Sequence, residues 1–493
     1  MIPKNAERIK NEGMNIIGFR ANGTDNFRGI PYAEAPVGEL RFAPPVPKKK
    51  WTETLDCTEW GHSSVQLGPM AGEGTPDEDC LNLNVWTPAG AKPGDNYPVF
   101  VWIHGGGFYL GSGSQAMYHG ETYTNQGVIM VSINYRLGAL GFLSLKVLEK
   151  KYGNLGNMGI LDQILALKWV KENIGKFGGD SNNITIGGES AGSFSCANLI
   201  LTPLAKGLFQ KAILESGALT YMLGERRQEY EGCLKQGSEF AALFGADDSE
   251  EGLKKLREAD PVELWKKGPF ITDYTQPMPL IMVPVFDGVV LPKDPYKALV
   301  NGDFNKDVKV IAGNNAVEGV LFIARSEVKD DLLDQMINKA FGPNADEARA
   351  YIATIDMPYK QKVMAVTGMT LLTMGEIVTQ NEYAKHGLDV YSYVYTYQNG
   401  KNIPTHAAEL CMVFGDDNSI AQEKLTAEDM EFGKIIQTYW ANFMKNGDPN
   451  GPGLVKWPKY DGKTVIYLGN KIESGPRKVQ EMLDKLMPLY FHE

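Results

Sequence analysis

Gly188-Glu189-Ser190-Ala191-Gly192 places a serine between two glycines, each two residues away. Upstream, Asn183-Ile184-Thr185-Ile186-Gly187 reads as a short β-branched strand, and downstream the residues from Ser193 to Ile200 can run as a helix packed on a sheet. A strand-to-helix reversal this tight brings backbones so close that only small residues fit beside the turn residue. It forces that residue into strained dihedrals and lifts its hydroxyl clear of the sheet. A serine held there is placed to attack. The alternative is a chance Gly-x-Ser-x-Gly in a chain with 54 glycines, and the remaining groups decide between the two.

A serine hydroxyl is a poor nucleophile near pH 7. It needs a base, usually histidine, a carboxylate to orient that base, and donors for the oxyanion of a tetrahedral intermediate. His104-Gly105-Gly106-Gly107-Phe108 follows the apolar run from Val99 to Ile103. Glycines there let backbone N–H groups face a substrate carbonyl, so Gly106 and Gly107 are candidate donors, with Ala191 as the third. A phosphate-cradling loop is the rival reading, but neither a lysine nor GxGxxG spacing accompanies these glycines.

Six histidines compete for the role of base. His104 sits inside the glycine motif and reads as a hydrogen-bonding prop for the loop. His492 is in the terminal tail, and His62, His119 and His386 lie in polar loop or helix-surface contexts where a solvated imidazole is the default. His406, in Pro404-Thr405-His406-Ala407-Ala408-Glu409-Leu410, follows the strand-like run from Val390 to Tyr395. That is where a late loop delivers a base in the chain order Ser…Asp/Glu…His. The best acid between them is Glu318, after the strand Val308-Lys309-Val310-Ile311-Ala312. An exposed surface charge is the ordinary reading of a lone glutamate, and spacing alone does not settle the point.

With these motifs in place, the chain resembles the type-B carboxylesterases, the α/β-hydrolase group that includes cholinesterases and bacterial para-nitrobenzyl esterases. The similarity runs nearly end to end. It opens at Phe27-Arg28-Gly29-Ile30-Pro31-Tyr32-Ala33 and Glu78-Asp79-Cys80-Leu81-Asn82, and continues through Asn134-Tyr135-Arg136-Leu137-Gly138 and Asn157-Met158-Gly159-Ile160-Leu161-Asp162-Gln163. Trp440-Ala441-Asn442-Phe443, Asn446-Gly447-Asp448-Pro449 and Trp457-Pro458 close it. The resemblance implies Ser190 as acyl-forming nucleophile, Glu318 as acid and His406 as base. It also implies two bracing ion pairs, Arg41 with Glu78 and Arg136 with Asp162.

Two departures from the family stand out. Many secreted members tie the cysteine of the Glu-Asp-Cys block to one about fifteen residues earlier, where this chain has Ser63-Ser64-Val65-Gln66. Cys57 is out of register, so the usual disulfide is expected to be absent. The loop leading to Cys80 also lacks a tryptophan of the kind cholinesterases use to hold a quaternary ammonium by cation–π contact, which argues against choline-ester specialisation.

The elements must bring these residues together. The 493 residues are 43% hydrophobic and 22% charged, enough for a substantial core. Because the chemistry is spread from Gly106 to His406, the expectation is one catalytic domain over residues 1–493. Its fold is α/β: a large, mostly parallel mixed sheet flanked by helices, with antiparallel strands first. The run from Val128 to Ile133 suits a central strand, and the apolar spacing from Ile160 to Ile174 suits a helix covering the sheet. Residues of about 230–282 and 330–382 turn helical and polar, as cap and gorge walls. Within them Phe270, Met278 and Met282 are candidates for an acyl pocket, although such residues are more often core.

A net charge of −11 argues against nucleic acid or an anionic membrane as partner. The N-terminal residues have no apolar signal core, no stretch reaches the roughly 18 apolar residues of a span, and five cysteines without metal spacing fit a reducing cytoplasm. The expected partner is a small-molecule ester, with no cofactor, no metal and no membrane anchor. Oligomeric state is not legible. Glu189 reads either as tuning the field at Ser190 or as a structural hydrogen-bonder. Two rival functions are a catalytically dead cholinesterase-like interaction protein, which typically lacks a triad member, and hydrolysis of amides or lactones by the same groups.

Overall fold

Short β-branched and aromatic runs bounded by glycine and asparagine turns become the strands of one thirteen-stranded sheet in the computed structural model, which describes residues 2–3, 5–218, 230–268, 282–323, 328–416 and 423–490. The strands are β1 (Glu7–Asn11), β2 (Ile16–Ala21), β3 (Thr24–Pro31), β4 (Leu55–Asp56), β5 (Asn82–Pro88), β6 (Tyr97–Ile103) and β7 (Ile129–Ile133). They continue with β8 (Gly179–Glu189), β9 (Lys211–Glu215), β10 (Lys309–Asn315), β11 (Val390–Tyr395), β12 (Thr464–Leu468) and β13 (Glu473–Pro476). Their order across the sheet is β1-β2-β3-β5-β7-β6-β8-β9-β10-β11-β12-β13, with β4 beside β2.

Along that order the neighbours from β1 to β7 run antiparallel, while the short β4 pairs parallel with β2. From β7 through β12 every pair is parallel, and β13 turns back at the far edge. The antiparallel lead-in and parallel centre are as the sequence suggests. At the centre, Val101 of β6 lies between Val131 of β7 and Ile186 of β8, and all three are fully buried. Continuous apolar runs rather than alternation mark such strands because helices cover both faces. Burial of each such side chain contributes roughly 1.5–3 kcal/mol.

The covering helices include Met158–Asn173, two residues earlier at its start than its apolar spacing suggests, and Ala191–Leu201, in which every residue is buried. The first insertion holds the helices Tyr230–Ala242, Glu250–Glu258 and Pro261–Lys266. The second holds Leu332–Phe341, Ala345–Thr354 and a long helical run from Tyr359 to Lys385. By length and composition that run is apolar enough to cross a membrane, but 78% of its most apolar window is buried inside the protein, as in a core helix. Phe270, Met278 and His492 lie outside the described residues. Met282 joins the main apolar core, the more ordinary of its two readings.

Both expected ion pairs form. Arg136 grips Asp162 with Nε to Oδ2 at 2.8 Å and Nη2 to Oδ1 at 2.7 Å, both side chains buried. Arg41 grips Glu78 with Nε to Oε1 at 2.6 Å. Cys57 and Cys80 are buried free thiols. Of the Asn-x-Thr sequons Asn22-Gly23-Thr24 and Asn183-Ile184-Thr185, the first has Asn22 in a turn with φ 52° and the second lies within β8.

Candidate active site

The candidate triad and oxyanion residues sit at or beyond the C-terminal ends of parallel strands. The glycine loop follows β6, Ser190 follows β8, Ser216 follows β9, Glu318 follows β10, and the His406 loop follows β11. In open α/β sheets ligands bind at that edge. Glu189 and His406, 217 positions apart in sequence, therefore come within 3.1 Å of each other.

Ser190 has φ 56° and ψ −122°, between the last residue of β8 and the first of the helix Ala191–Leu201. A serine pays strain at such a φ, and the close packing explains the flanking glycines. A Cβ on Gly192 would stand 2.0 Å from the carbonyl oxygen of Ile103, and one on Gly188 would stand 2.5 Å from the Gly192 carbonyl carbon. The hydroxyl-bearing residue itself stays partly accessible. Among the described residues, Ser190 is one of four strained non-glycine residues at this edge, with Phe108 (φ 61°), Ser216 (φ 54°) and Ala407 (φ 67°).

The glycine loop lies against this turn: a Cβ on Gly105 would come within 3.3 Å of the Ser190 Cβ. Gly106 adopts φ 106°, a conformation open to glycine, and its carbonyl accepts N–H bonds from Tyr109 (3.1 Å) and Leu110 (2.9 Å). Ala191 opens its helix, so its N–H belongs to the first turn, whose donors have no partner within the helix. His104 is the prop it was expected to be. Its Nδ1 contacts the Gly105 carbonyl at 2.8 Å, its ring stacks on Tyr135 at 4.5 Å, and burial pulls it down to about 4, so it stays neutral.

Glu318 and His406 come together as the resemblance implies. Glu318 Oε2 lies 2.7 Å from His406 Nδ1, while its Oε1 accepts from the Ser216 hydroxyl and the Asn315 amide, both at 2.6 Å. A carboxylate so held fixes the imidazole's orientation. The other ring nitrogen, Nε2, lies 3.1 Å from Glu189 Oε1 and makes no hydrogen bond to the Ser190 hydroxyl. Catalytic hydrogen bonds are often long in unliganded enzymes and tighten when substrate binds.

The electrostatics are lopsided. Burial alone would lower the His406 pKa, but Glu189, Glu318 and Glu409 together raise it to about 9. Burial pushes Glu189 up to about 8 against the pull of His406, and Glu409 up to about 7. Glu215, which accepts from Trp440 Nε1 at 2.8 Å, is driven well above the carboxylate range by burial and by Glu409.

Sequence reasoning missed Ser216, Glu409, Glu215 and Asn315. Glu409 has a weak signal, lying three residues after His406; it accepts from Asn315 Nδ2 and lies 3.3 Å from the Ser216 hydroxyl. His119 is a correction. It is not a solvated imidazole but stacks on Trp60 at 5.3 Å, with Nε2 3.3 Å from Glu73, and burial lowers its pKa. Trp60, just upstream of the loop without tryptophan, has its face taken by the Arg28 guanidinium at 3.9 Å. The protein's own cation therefore occupies that ring.

Comparison with known proteins converges on one group. The family described as "Carboxylesterase family" matches residues 9–486. The para-nitrobenzyl esterase of Bacillus subtilis is 34% identical, over 96% of this chain and 97% of that one. The fumonisin B1 esterase of Sphingopyxis macrogoltabida is 33% identical, over 92% and 84%. A solved para-nitrobenzyl esterase structure superposes with a TM-score of 0.85 at 32% identity, covering 97% of this chain and 99% of its own.

Proposed function

Because this chain belongs to the carboxylesterase family and is a carboxylic ester hydrolase, we propose that it works through an acyl-enzyme on Ser190, with His406 as base and Glu318 as the acid that orients it. The 2.7 Å contact between Glu318 Oε2 and His406 Nδ1 carries this reading. It fixes the proton on Nδ1 and leaves Nε2 as the lone-pair nitrogen facing the turn that holds Ser190.

In the first half-reaction the Ser190 hydroxyl attacks the ester carbonyl carbon and His406 Nε2 takes its proton. The carbonyl oxygen becomes an oxyanion, held by the N–H groups of Gly106, Gly107 and Ala191. As the tetrahedral intermediate collapses, His406 returns the proton to the leaving alcohol. Water then repeats the sequence on the acyl-Ser190 ester and frees the acid. The imidazolium formed twice per turnover is stabilised by Glu318 and by the field of Glu189, whose carboxylate lies 3.1 Å from Nε2. Substrates are small-molecule esters, and the whole chain is one catalytic unit. Amide or lactone hydrolysis uses the same groups and is a matter of pocket shape.

The other serines of the neighbourhood have structural work. Ser112 is bonded to Ser114 and Asn134, Ser193 donates to the Gly217 carbonyl, and Ser216 donates to Glu318. An organophosphate should therefore modify Ser190 one-to-one and abolish esterase activity, with the adduct mapped by mass spectrometry. An adduct on Ser112, Ser193 or Ser216 overturns the assignment. An active Ser190→Ala enzyme does the same. An inert protein with all three groups intact would return the interaction-protein alternative.

A further inference from the structure

The loop bearing Gly106 and Gly107 is anchored on several sides by the body of the fold. The Gly138 amide donates to the Phe108 carbonyl at 2.7 Å, and Gln66 shares two hydrogen bonds with Gly111: its Nε2 donates to the Gly111 carbonyl and the Gly111 amide donates to its Oε1, both at 2.8 Å. One further anchor comes from outside that body. Trp265, in the helix Pro261–Lys266 of the first insertion, donates from Nε1 to the Tyr109 carbonyl at 3.0 Å. Its ring also stacks on the Tyr109 ring, centroids 4.5 Å apart and planes 13° from parallel. Gly138 backs onto both rings, 3.5 Å from Tyr109 and 3.8 Å from Trp265 as measured from a built Cβ.

The helix that carries Trp265 is itself held firmly. Pro261 opens it and the Asp260 carboxylate caps it, accepting from the amides of Val262 and Glu263. Leu264 is fully buried in the main core. Immediately upstream, Arg41 Nη1 donates to the Ala259 carbonyl at 2.6 Å and the Leu256 carbonyl at 3.2 Å, while its other face grips Glu78. An unbroken series of contacts thus joins Glu78, Arg41, the cap at Asp260, Trp265 and Tyr109, and ends on the turn that accepts at the Gly106 carbonyl.

From this geometry we propose that Trp265 is a positioning residue for the oxyanion site: by bonding the Tyr109 carbonyl and stacking on its ring, the insertion sets where the Gly106 and Gly107 amides point. The inference rests on the reading of those two amides as oxyanion donors. Its physical basis is that oxyanion stabilisation depends on donors fixed before charge develops, and that displacements near 1 Å cost about a hundredfold. A residue that loosens the loop without touching substrate lowers kcat and leaves ground-state binding alone.

Trp265→Phe keeps the stack and removes the Nε1 donor; Trp265→Ala removes both. The readouts are kcat and KM on p-nitrophenyl butyrate, the melting temperature, and the inhibition constant of an alkyl trifluoromethyl ketone. On that ketone the serine oxygen bonds to the carbonyl carbon, the serine proton passes to His406, and the ketone oxygen becomes an oxyanion. A product-like carboxylic acid serves as ground-state competitor. We expect Trp265→Phe to lose about tenfold in kcat and in ketone affinity, with KM and acid binding within twofold. Trp265→Ala should lose more, and if it fails to fold, Trp265→Phe decides. Ketone affinity and kcat within twofold of wild type overturn the proposal. So does a rise in KM alone, which would make Trp265 a pocket wall. A wild-type ketone adduct whose oxygen lies away from the Gly106 and Gly107 amides instead overturns the oxyanion reading, and does so whatever Trp265 does.

Discussion

Arg136 and Asp162 meet in the interior with their charges matched: two guanidinium bonds to the carboxylate, a third to the Ala43 carbonyl, and the Arg136 amide also on Asp162. Around His406 the opposite holds. Glu189, Glu215, Glu318 and Glu409 are all buried, and the groups facing them are chiefly neutral amides, hydroxyls, an indole and one imidazole. Glu189 Oε1, Glu215 Oε2 and His406 Nε2 have no hydrogen-bond partner among the described residues. Buried charge that is fully paired holds the fold together, and removing one partner is costly. Buried charge left under-paired shifts protonation equilibria instead, which is what a site that must move protons requires.

The sharpest way to break this contrast is to remove the imidazole. His406→Ala should lose at least about a thousandfold in kcat, while melting stays near wild type because a cluster of carboxylates without its cation can take up protons. A large loss of stability there would mean that the histidine is a structural keystone.

Asp162→Asn should do the reverse. Stranding the buried Arg136 costs on the order of 3–5 kcal/mol, read by denaturant or thermal unfolding, with kcat of the remaining folded enzyme little changed. Wild-type melting in this variant overturns the claim that the pair is a brace. Glu78→Gln should show the same sign with a smaller loss, since Glu78 is 12% exposed at its side chain and Asp162 not at all.

A third measurement concerns pH. In the proposed mechanism His406 acts as base in its neutral form, so kcat/KM should rise with pH. The inflection should lie above the usual ~6.5 of histidine, because the surrounding carboxylates favour the imidazolium. Glu189→Gln removes the carboxylate nearest Nε2, so the inflection should move to lower pH, by about one unit. An unmoved inflection would mean that Glu189 carries a proton through the working range and exerts no field on the ring.

The smallest expected effect is none at all. Cys80 lies beside the Arg136–Asp162 pair, its thiol pushed up mainly by burial and then by Asp162. As a free thiol it adds no cross-link. Dithiothreitol should leave the melting temperature where it is, whereas a native disulfide contributes ~2–4 kcal/mol. A drop on reduction, with a Cys57–Cys80 cross-link in peptide maps, would show that covalent closure shares the bracing role.

Much of this was legible in the residues. Ser190 announces itself because a tight turn needs the flanking glycines, and the apolar runs of β6, β7 and β8 mark strands buried on both faces. Glu318 is the best acid by its place after β10, but only the family resemblance settles it, since nothing local distinguishes a buried glutamate from a solvated one. Glu215 and Ser216 were silent for the same reason: their meaning comes from lying one strand over from Glu189 and Gly313. The exchange of β6 and β7 in sheet order, the Arg28–Trp60–His119 stack and the reach of Trp265 to Tyr109 all depend on non-local packing. No window of sequence contains both halves of such a contact.

The strand order also sets a timetable. Apart from the exchange of β6 and β7 and the detour of β4, each strand leaving the ribosome finds its neighbour already laid down, so the sheet can be assembled from one edge to the other as the chain is made. Ser190 and its strained turn take their place once β8 and β9 pair, but His406 follows 216 residues later. At the roughly 5–20 residues per second of protein synthesis that is a wait of about 10–40 s. Through that interval the growing edge of the sheet stands open, and the nascent chain depends most on whatever shields unpaired strands. Esterase activity should therefore appear late, only after β11 and the loop beyond it have docked.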